Sequence, residues 1–273
     1  MPSLIRSLER SSQRAIEVIL IDDGSTDGSV ARVAAEFPEP TTLFELILRR
    51  TPNRGLAATR NLGLDLSRGR FVKFLDADDL LLSGSLDVQI DHLGSNPDTH
   101  AHLIGYCLAN HDLSAFRPPD RDTLPTRPLS AGYVATAWET ELSIPIHCAL
   151  FRREFIEDVP FREDLEAKED WVFWHELARK NPHLAVDREV GVVYRLHLAS
   201  MTRSRSRMAR YWLKAFASMS DSGTRLAPTE FARVAEHFNT TYFDHVNHGH
   251  FDLVSPNSIT IGDFRIGPGD RVA

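Results

Sequence analysis

The sequence predicts an α/β fold: a mainly parallel sheet flanked by helices, followed by a helical C-terminal extension. Three observations predict it. Two short apolar runs, Ile16 to Ile21 and Phe71 to Leu75, each end in a carboxylate cluster, Asp22-Asp23-Gly24-Ser25 and Asp76-Ala77-Asp78-Asp79. Both runs are rich in β-branched or aromatic residues, as expected of buried parallel strands whose carboxyl ends meet at one sheet edge. Strand-like and helix-like periods alternate through the first hundred residues, the βαβ rhythm of a parallel sheet. Past Ser200 only helical periods recur.

Each element follows from local chemistry. Glu17 to Ile21 reads as a strand, after which Ser25, Thr26 and Asp27 are cap candidates for a helix from Gly28 to Glu36. Pro38 and Pro40 break the chain before a strand at Phe44 to Leu48. Asn53-Arg54-Gly55 leads into a helix at Leu56 to Leu66, closed by Gly69, and then the strand Phe71 to Leu75. A helix at Leu86 to Leu93 and a strand at His102 to Cys107 extend the pattern. Between residues 110 and 145, Pro118, Pro119, Pro125, Pro128 and Pro145 argue against regular structure and for a surface excursion near the site, a lid or acceptor loop. From Asp170 to Arg179 the residues Trp171, Val172, Trp174, Leu177 and Ala178 recur at helical spacing behind Glu166, Glu169 and Asp170. Helices at Arg205 to Met219 and Pro228 to His245 precede a tail, so the expected division is 1–200 and a C-terminal extension, 201–273.

At 273 residues the chain can bury one substantial core, and a net charge of -7 argues against nucleic acid as a partner. Cys107 and Cys148 sit among apolar residues and read as reduced thiols. No apolar stretch is long enough to cross a bilayer and no signal-peptide core opens the chain. A cytoplasmic protein is expected, with peripheral contact at the inner face of the membrane left open. Arg203, Arg205, Arg207 and Arg210 read either as a solvated helix face or as a patch for anionic lipid.

Several acids gathered at the carboxyl edge of a sheet repel one another unless a cation neutralises them, and that edge is where open α/β sheets bind ligands. A hard divalent metal with a phosphate-bearing substrate is the natural partner. The alternative for Asp22 and Asp23 is a turn before Gly24 with capping of the next helix, and for Asp76 to Asp79 a helix-capping cluster.

Glu17 to Ser29, Asn53 to Gly63, Gly69 to Asp79, Glu169-Asp170-Trp171 and Tyr194 to Ser200, in that order and spacing, resemble the signature blocks of glycosyltransferase family 2. The resemblance implies the GT-A fold. It also implies a metal-dependent, inverting transfer of a sugar from a nucleotide-diphosphate donor, a UDP-sugar foremost, to the hydroxyl of a glycan or lipid-linked acceptor. It places Asp22 and Asp23 in donor binding, with Asp23 accepting a hydrogen bond from the nucleobase, and Arg60 and Asn61 at the diphosphate or the loop above it. Asp76 and Asp78 match the Asp-x-Asp element that holds Mg2+ or Mn2+ and the donor, and alternate residues of an extended segment do point the same way. Asp79 reads as a supporting residue or a cap. Asp170 falls on the general base with Glu169 as its understudy, and His197 on the metal or diphosphate shell. Trp171 is either a sugar-stacking face or core, and a role for His147 is left open.

One departure stands out. Family members begin with a strand ahead of the first helix, whereas Met1 here falls inside that helix. The expectation is an upstream in-frame start encoding about 10 to 25 further residues with an apolar strand, or a rebuilt sheet. The alternative function is a catalytically inactive GT-A-like module that binds nucleotide or glycan.

Overall fold

The computed structural model describes residues 2–36, 44–196, 204–247, 259–261 and 264–266. The chain forms two compact units, the first made of residues 1–128, 144–161 and 182–197 and the second of residues 129–143, 162–181 and 198–273. The helical part therefore draws in segments well before residue 201.

In the first unit, strand β1 (Ile16–Asp23) pairs in parallel with β2 (Phe44–Thr51) from Ile16 opposite Phe44 to Asp23 opposite Thr51. Ile5 of helix α1 (Pro2–Ser11) and Val33 of α2 (Ser29–Glu36) pack with Phe44, Val18, Leu20 and Leu46. Helix α3 (Leu56–Leu66) approaches β1 through Gly63, where an added Cβ would lie 3.6 Å from Ile21.

A six-stranded sheet runs in the order β3 (Phe71–Val72), β7 (Ala149–Arg152), β5 (Ala101–Ala109), β8 (Leu184–Arg195) and β4 (Leu80–Leu81), with β6 (Phe116–Arg117) on the end of β5. The long strands pair in parallel, β1 with β2 and β5 with β8, and the short ones antiparallel. The β5–β8 register shifts on both sides of Gly105. There the backbone of Arg188 comes so close that a Cβ at 105 would lie 2.4 Å from its carbonyl oxygen. Helix α4 (Ser85–Ser95) seats Leu86 and Leu93 against Leu150. Its buried Gln89 donates to the carbonyls of His102 at 2.6 Å and Cys148 at 3.0 Å, while accepting from Lys73 Nζ at 2.8 Å.

Two expectations are corrected here. The carboxylate clusters were expected on one sheet, but β1 and β2 form a sheet of their own, and no described strand lies between β1 and β3. Among the described residues β1 has no second ladder partner, and Ile16 to Ile21 are half-buried rather than covered on both faces. The proline-rich stretch also holds more regular structure than expected. Helix α5 (Ala131–Ala137) forms there, its N-terminus capped by Ser130 Oγ, which accepts from Tyr133 N at 3.2 Å.

The second unit packs α5, α7 (Glu169–Arg179), α8 (Arg205–Asp221) and α9 (Pro228–Asn247) around Trp171, Trp174, Trp212, Phe216 and Phe238. Trp171 is fully buried, stacks on Trp138 with ring centroids 6.2 Å apart, and donates its indole N–H to the Val134 carbonyl at 2.8 Å. Of its two readings, the core role is the one the structure shows. Among the described residues, no helix is long and apolar enough to cross a membrane.

Candidate functional site

At the carboxyl end of β1, Asp22 is buried and accepts from Ser25 N at 2.8 Å, with Arg50 Nε 3.2 Å from its other oxygen. The hydrogen bonds from Ser25 hold its carboxyl below the usual range, and the nearby Arg50 charge adds to this. Asp23 accepts from Arg54 N and Gly55 N, each at 2.8 Å, one on each oxygen. Gly55 has φ 90°, a left-handed value that glycine tolerates, just ahead of α3. Asp23 thus closes the 53–55 loop onto the end of β1.

The second cluster is shaped by a turn. Asp79 N donates to Asp76 O at 3.1 Å, so residues 76–79 fold back rather than extend. The extended-segment geometry expected for Asp76 and Asp78 is therefore corrected. The turn instead brings Asp76 and Asp79 together with His147, a donor atom from each lying within 4.8 Å of the others. Asp79 is wholly buried, accepting from Arg195 N at 2.9 Å on Oδ1 and facing His147 Nδ1 at 2.8 Å on Oδ2. His147 is 2% exposed, and its Nε2 has no hydrogen-bond partner among the described residues.

The electrostatics of the cluster follow from burial and pairing. Burial pushes the Asp79 carboxyl up, since its partners offset only part of the desolvation. Burial works against a charged His147 as well, but the hydrogen bond to Asp79 and the contact with Cys148 outweigh it and raise the imidazole to about 10. The pair therefore holds a proton at neutral pH. Burial would also raise Asp76, yet Arg60 and His147 outweigh it and keep that carboxylate ionised. Two carboxylates and one imidazole, whose buried Nε2 has no partner among the described residues, suit a divalent ion such as Mn2+ or Mg2+, whose binding would displace the proton of the Asp79–His147 pair.

The other expected residues divide. Arg60, on α3, is buried, donates to Asp76 Oδ1 at 2.8 Å and lies 5.4 Å from the centre of the Phe161 ring. It packs against the Asp76 carboxylate and not on a solvated helix face. Asn61 grips the Phe161 backbone, donating to its carbonyl at 2.9 Å and accepting from its N–H at 2.7 Å. Asp78 sits on the turn between Asp76 and Asp79, and His197 lies outside the described residues. In the second unit, Glu169 is buried and Asp170 is half-buried in the first turn of α7, where Asp170 Oδ1 accepts from Trp171 N at 2.8 Å. Sequence reasoning missed the pairing of His147 with Asp79. Its only sign in the sequence is a His-Cys pair inside a proline-rich stretch.

A model described as Glycosyl transferase family 2 matches residues 1–159, more than half of the chain. EpsH of Bacillus subtilis, which carries a provisional glycosyltransferase name, is 28% identical over 240 residues, covering 85% of this chain and 64% of its own. The chain thus spans under two thirds of that relative. A Campylobacter jejuni protein named GalNAc(5)-diNAcBac-PP-undecaprenol beta-1,3-glucosyltransferase is 32% identical over 104 residues, 38% of this chain and 32% of its own. Among solved structures, S. aureus TarS 1-349 in complex with UDP-GlcNAc superposes with a TM-score of 0.64 at 18% identity, over 93% of this chain and 72% of that one, a likeness of fold. The fold is GT-A, as the signature blocks implied, and the chain belongs to glycosyl transferase family 2.

Proposed function

We propose that the chain is a metal-dependent, inverting glycosyltransferase that moves a sugar from a nucleoside-diphosphate donor, a UDP-sugar, to the hydroxyl of a glycan or lipid-linked acceptor. The observation that carries this reading is the buried convergence of Asp76, Asp79 and His147 beside Arg60. TarS, which shares the fold, is solved with UDP-GlcNAc, and the Campylobacter relative is named for an undecaprenol-linked substrate, which supports the choice of donor and acceptor class.

Mg2+ or Mn2+, held by Asp76, Asp79 and His147 with Asp78 and His197 completing the shell, would neutralise the diphosphate as it departs. Arg60 fixes the Asp76 carboxylate in one orientation and keeps it ionised. Asp22 and Asp23 order the 22–25 turn and the 53–55 loop; Asp23 Oδ1 accepts from both Arg54 N and Thr51 Oγ1, so Oδ2, which accepts from Gly55 N, is the oxygen offered to the nucleobase. Asp170 takes the acceptor's hydroxyl proton as the oxygen attacks the anomeric carbon, with Glu169 behind it.

Calorimetry with UDP, with and without Mn2+, tests the donor half. Binding should require the ion and fall at least tenfold in Asp76→Asn. Equal binding in EDTA would sink the metal site.

A further inference from the structure

Four described residues other than glycine have left-handed backbone: Leu113, Glu139, Lys168 and Asn181. Two of them hold each other. Lys168, at φ 66°, is the residue that opens α7, and its carbonyl accepts from Val172 N at 3.3 Å. Its buried ammonium is paired with the carboxylate of Glu139, itself at φ 65° in the turn that ends α5. The same carboxylate accepts from Tyr242 Oη at 2.8 and 3.0 Å and lies 3.4 Å from His237 Nε2, both on α9.

A left-handed backbone at a bulky side chain persists only where its surroundings over-determine it. Glycine would adopt the same backbone at Lys168 without needing a buried partner. A buried ion pair is weak evidence for stability and is better suited to imposing one geometry on its neighbours. The residues directly after Lys168 are Glu169 and Asp170.

We propose that Glu139 and Lys168 are positioning residues: their ion pair, anchored by Tyr242 and His237, locks the first turn of α7 so that the Asp170 carboxylate is held in one orientation for proton transfer. Glu139 thereby makes the C-terminal helix α9 part of the apparatus that serves the acceptor. The proposal rests on Asp170 as the base and deepens that reading.

The test compares full-length wild type with Glu139→Gln, Lys168→Gly, Lys168→Arg, the double variant Glu139→Gln with Lys168→Gly, and Asp170→Asn. Two quantities are read: UDP release from UDP-glucose and UDP-GlcNAc in Mn2+, and hydrogen exchange over residues 166–172. The double variant leaves no unpaired buried charge and suits the φ at 168, so it keeps the question answerable if a single variant fails to fold. We expect kcat to fall at least tenfold in the variants that break the pair, with donor KM within twofold, exchange in the first turn of α7 at least tenfold faster, and Lys168→Arg close to wild type. Faster exchange with wild-type kcat would reduce the pair to a structural one and overturn the proposal, as would unchanged exchange. Wild-type turnover in Asp170→Asn would instead overturn the base assignment beneath it.

Discussion

At the scale of single residues, the chemistry of the site depends on a few buried carboxylates with different partners. Asp79 is the most constrained, so Asp79→Ala should strip both Arg195 N and His147 of a partner at once. A loss of about 3 to 5 kcal/mol in denaturant unfolding is expected for breaking a buried pair from one side. Asp79→Asn, which still accepts from Arg195 N, should lose less, and equal losses would show that the backbone bond contributes nothing. Glu139 reports on acid stability. Burial opposes its charge, but His237, Lys168 and Tyr242 bring its carboxyl from 4.5 down to about 2. A depressed carboxylate stabilises the fold above its unfolded value and loses that contribution as pH falls through its folded value. Melts should therefore drop between pH 4.5 and 2 by on the order of 3 kcal/mol at the Glu139 site, and Glu139→Gln should flatten that limb. Asp22, Asp23 and Asp76 stand out in the sequence because they lie in short acidic motifs at the ends of apolar runs. His147 does not, because what defines it is Asp79, a neighbour far along the chain that is itself held by the main chain of Arg195, which carries no side-chain signature.

At the scale of elements, long runs with one clear period were legible and short or interrupted ones were not. Helix α3 falls at Leu56–Leu66 as its pattern indicated, and α7 within one residue of it. Strand β8 was missed because Asp187, Arg188 and Glu189 interrupt its apolar alternation midway. β4, two residues long, is defined by Leu80 and Leu81 pairing with Val193 and Val192, which no local pattern announces. The split between the sheets makes a prediction of its own. At Ala101–Leu103 β5 is paired on both sides, with β7 and β8, whereas among the described residues β1 is paired only with β2. Hydrogen exchange at the β1 amides that face away from β2 should be at least a hundredfold faster than at Ala101–Leu103 of β5. Equal protection would mean that something covers that edge in solution.

At the scale of the whole molecule, the α/β class and the helical C-terminal part followed from the order of periods. The membership of the second unit did not, because α5 and α7 join it from positions before residue 200 that alternate along the chain with segments of the first unit. The two readings of the arginines, a solvated face or a patch for anionic lipid, are separated by a test of their own. Arg205, Arg207 and Arg210 are exposed on α8, with Arg207 lying 3.6 Å from Glu166, while Arg203 lies outside the described residues. A lipid-facing patch should cosediment with anionic vesicles at low salt, at about 1 kcal/mol per arginine near the surface. Reversing the three charges should abolish this. No binding at low salt would leave them a solvated face.

The close approach at Gly105 reaches further than its own strand. A methyl group there would press on the Arg188 carbonyl and force β8 to slide or lift, and β8 ends at Arg195, whose amide holds Asp79. Directed evolution toward new donors should therefore randomise position 105 alongside the acids it never touches, because changing how two strands nestle is a way to retune the grip on the leaving group while leaving every polar side chain of the site in place.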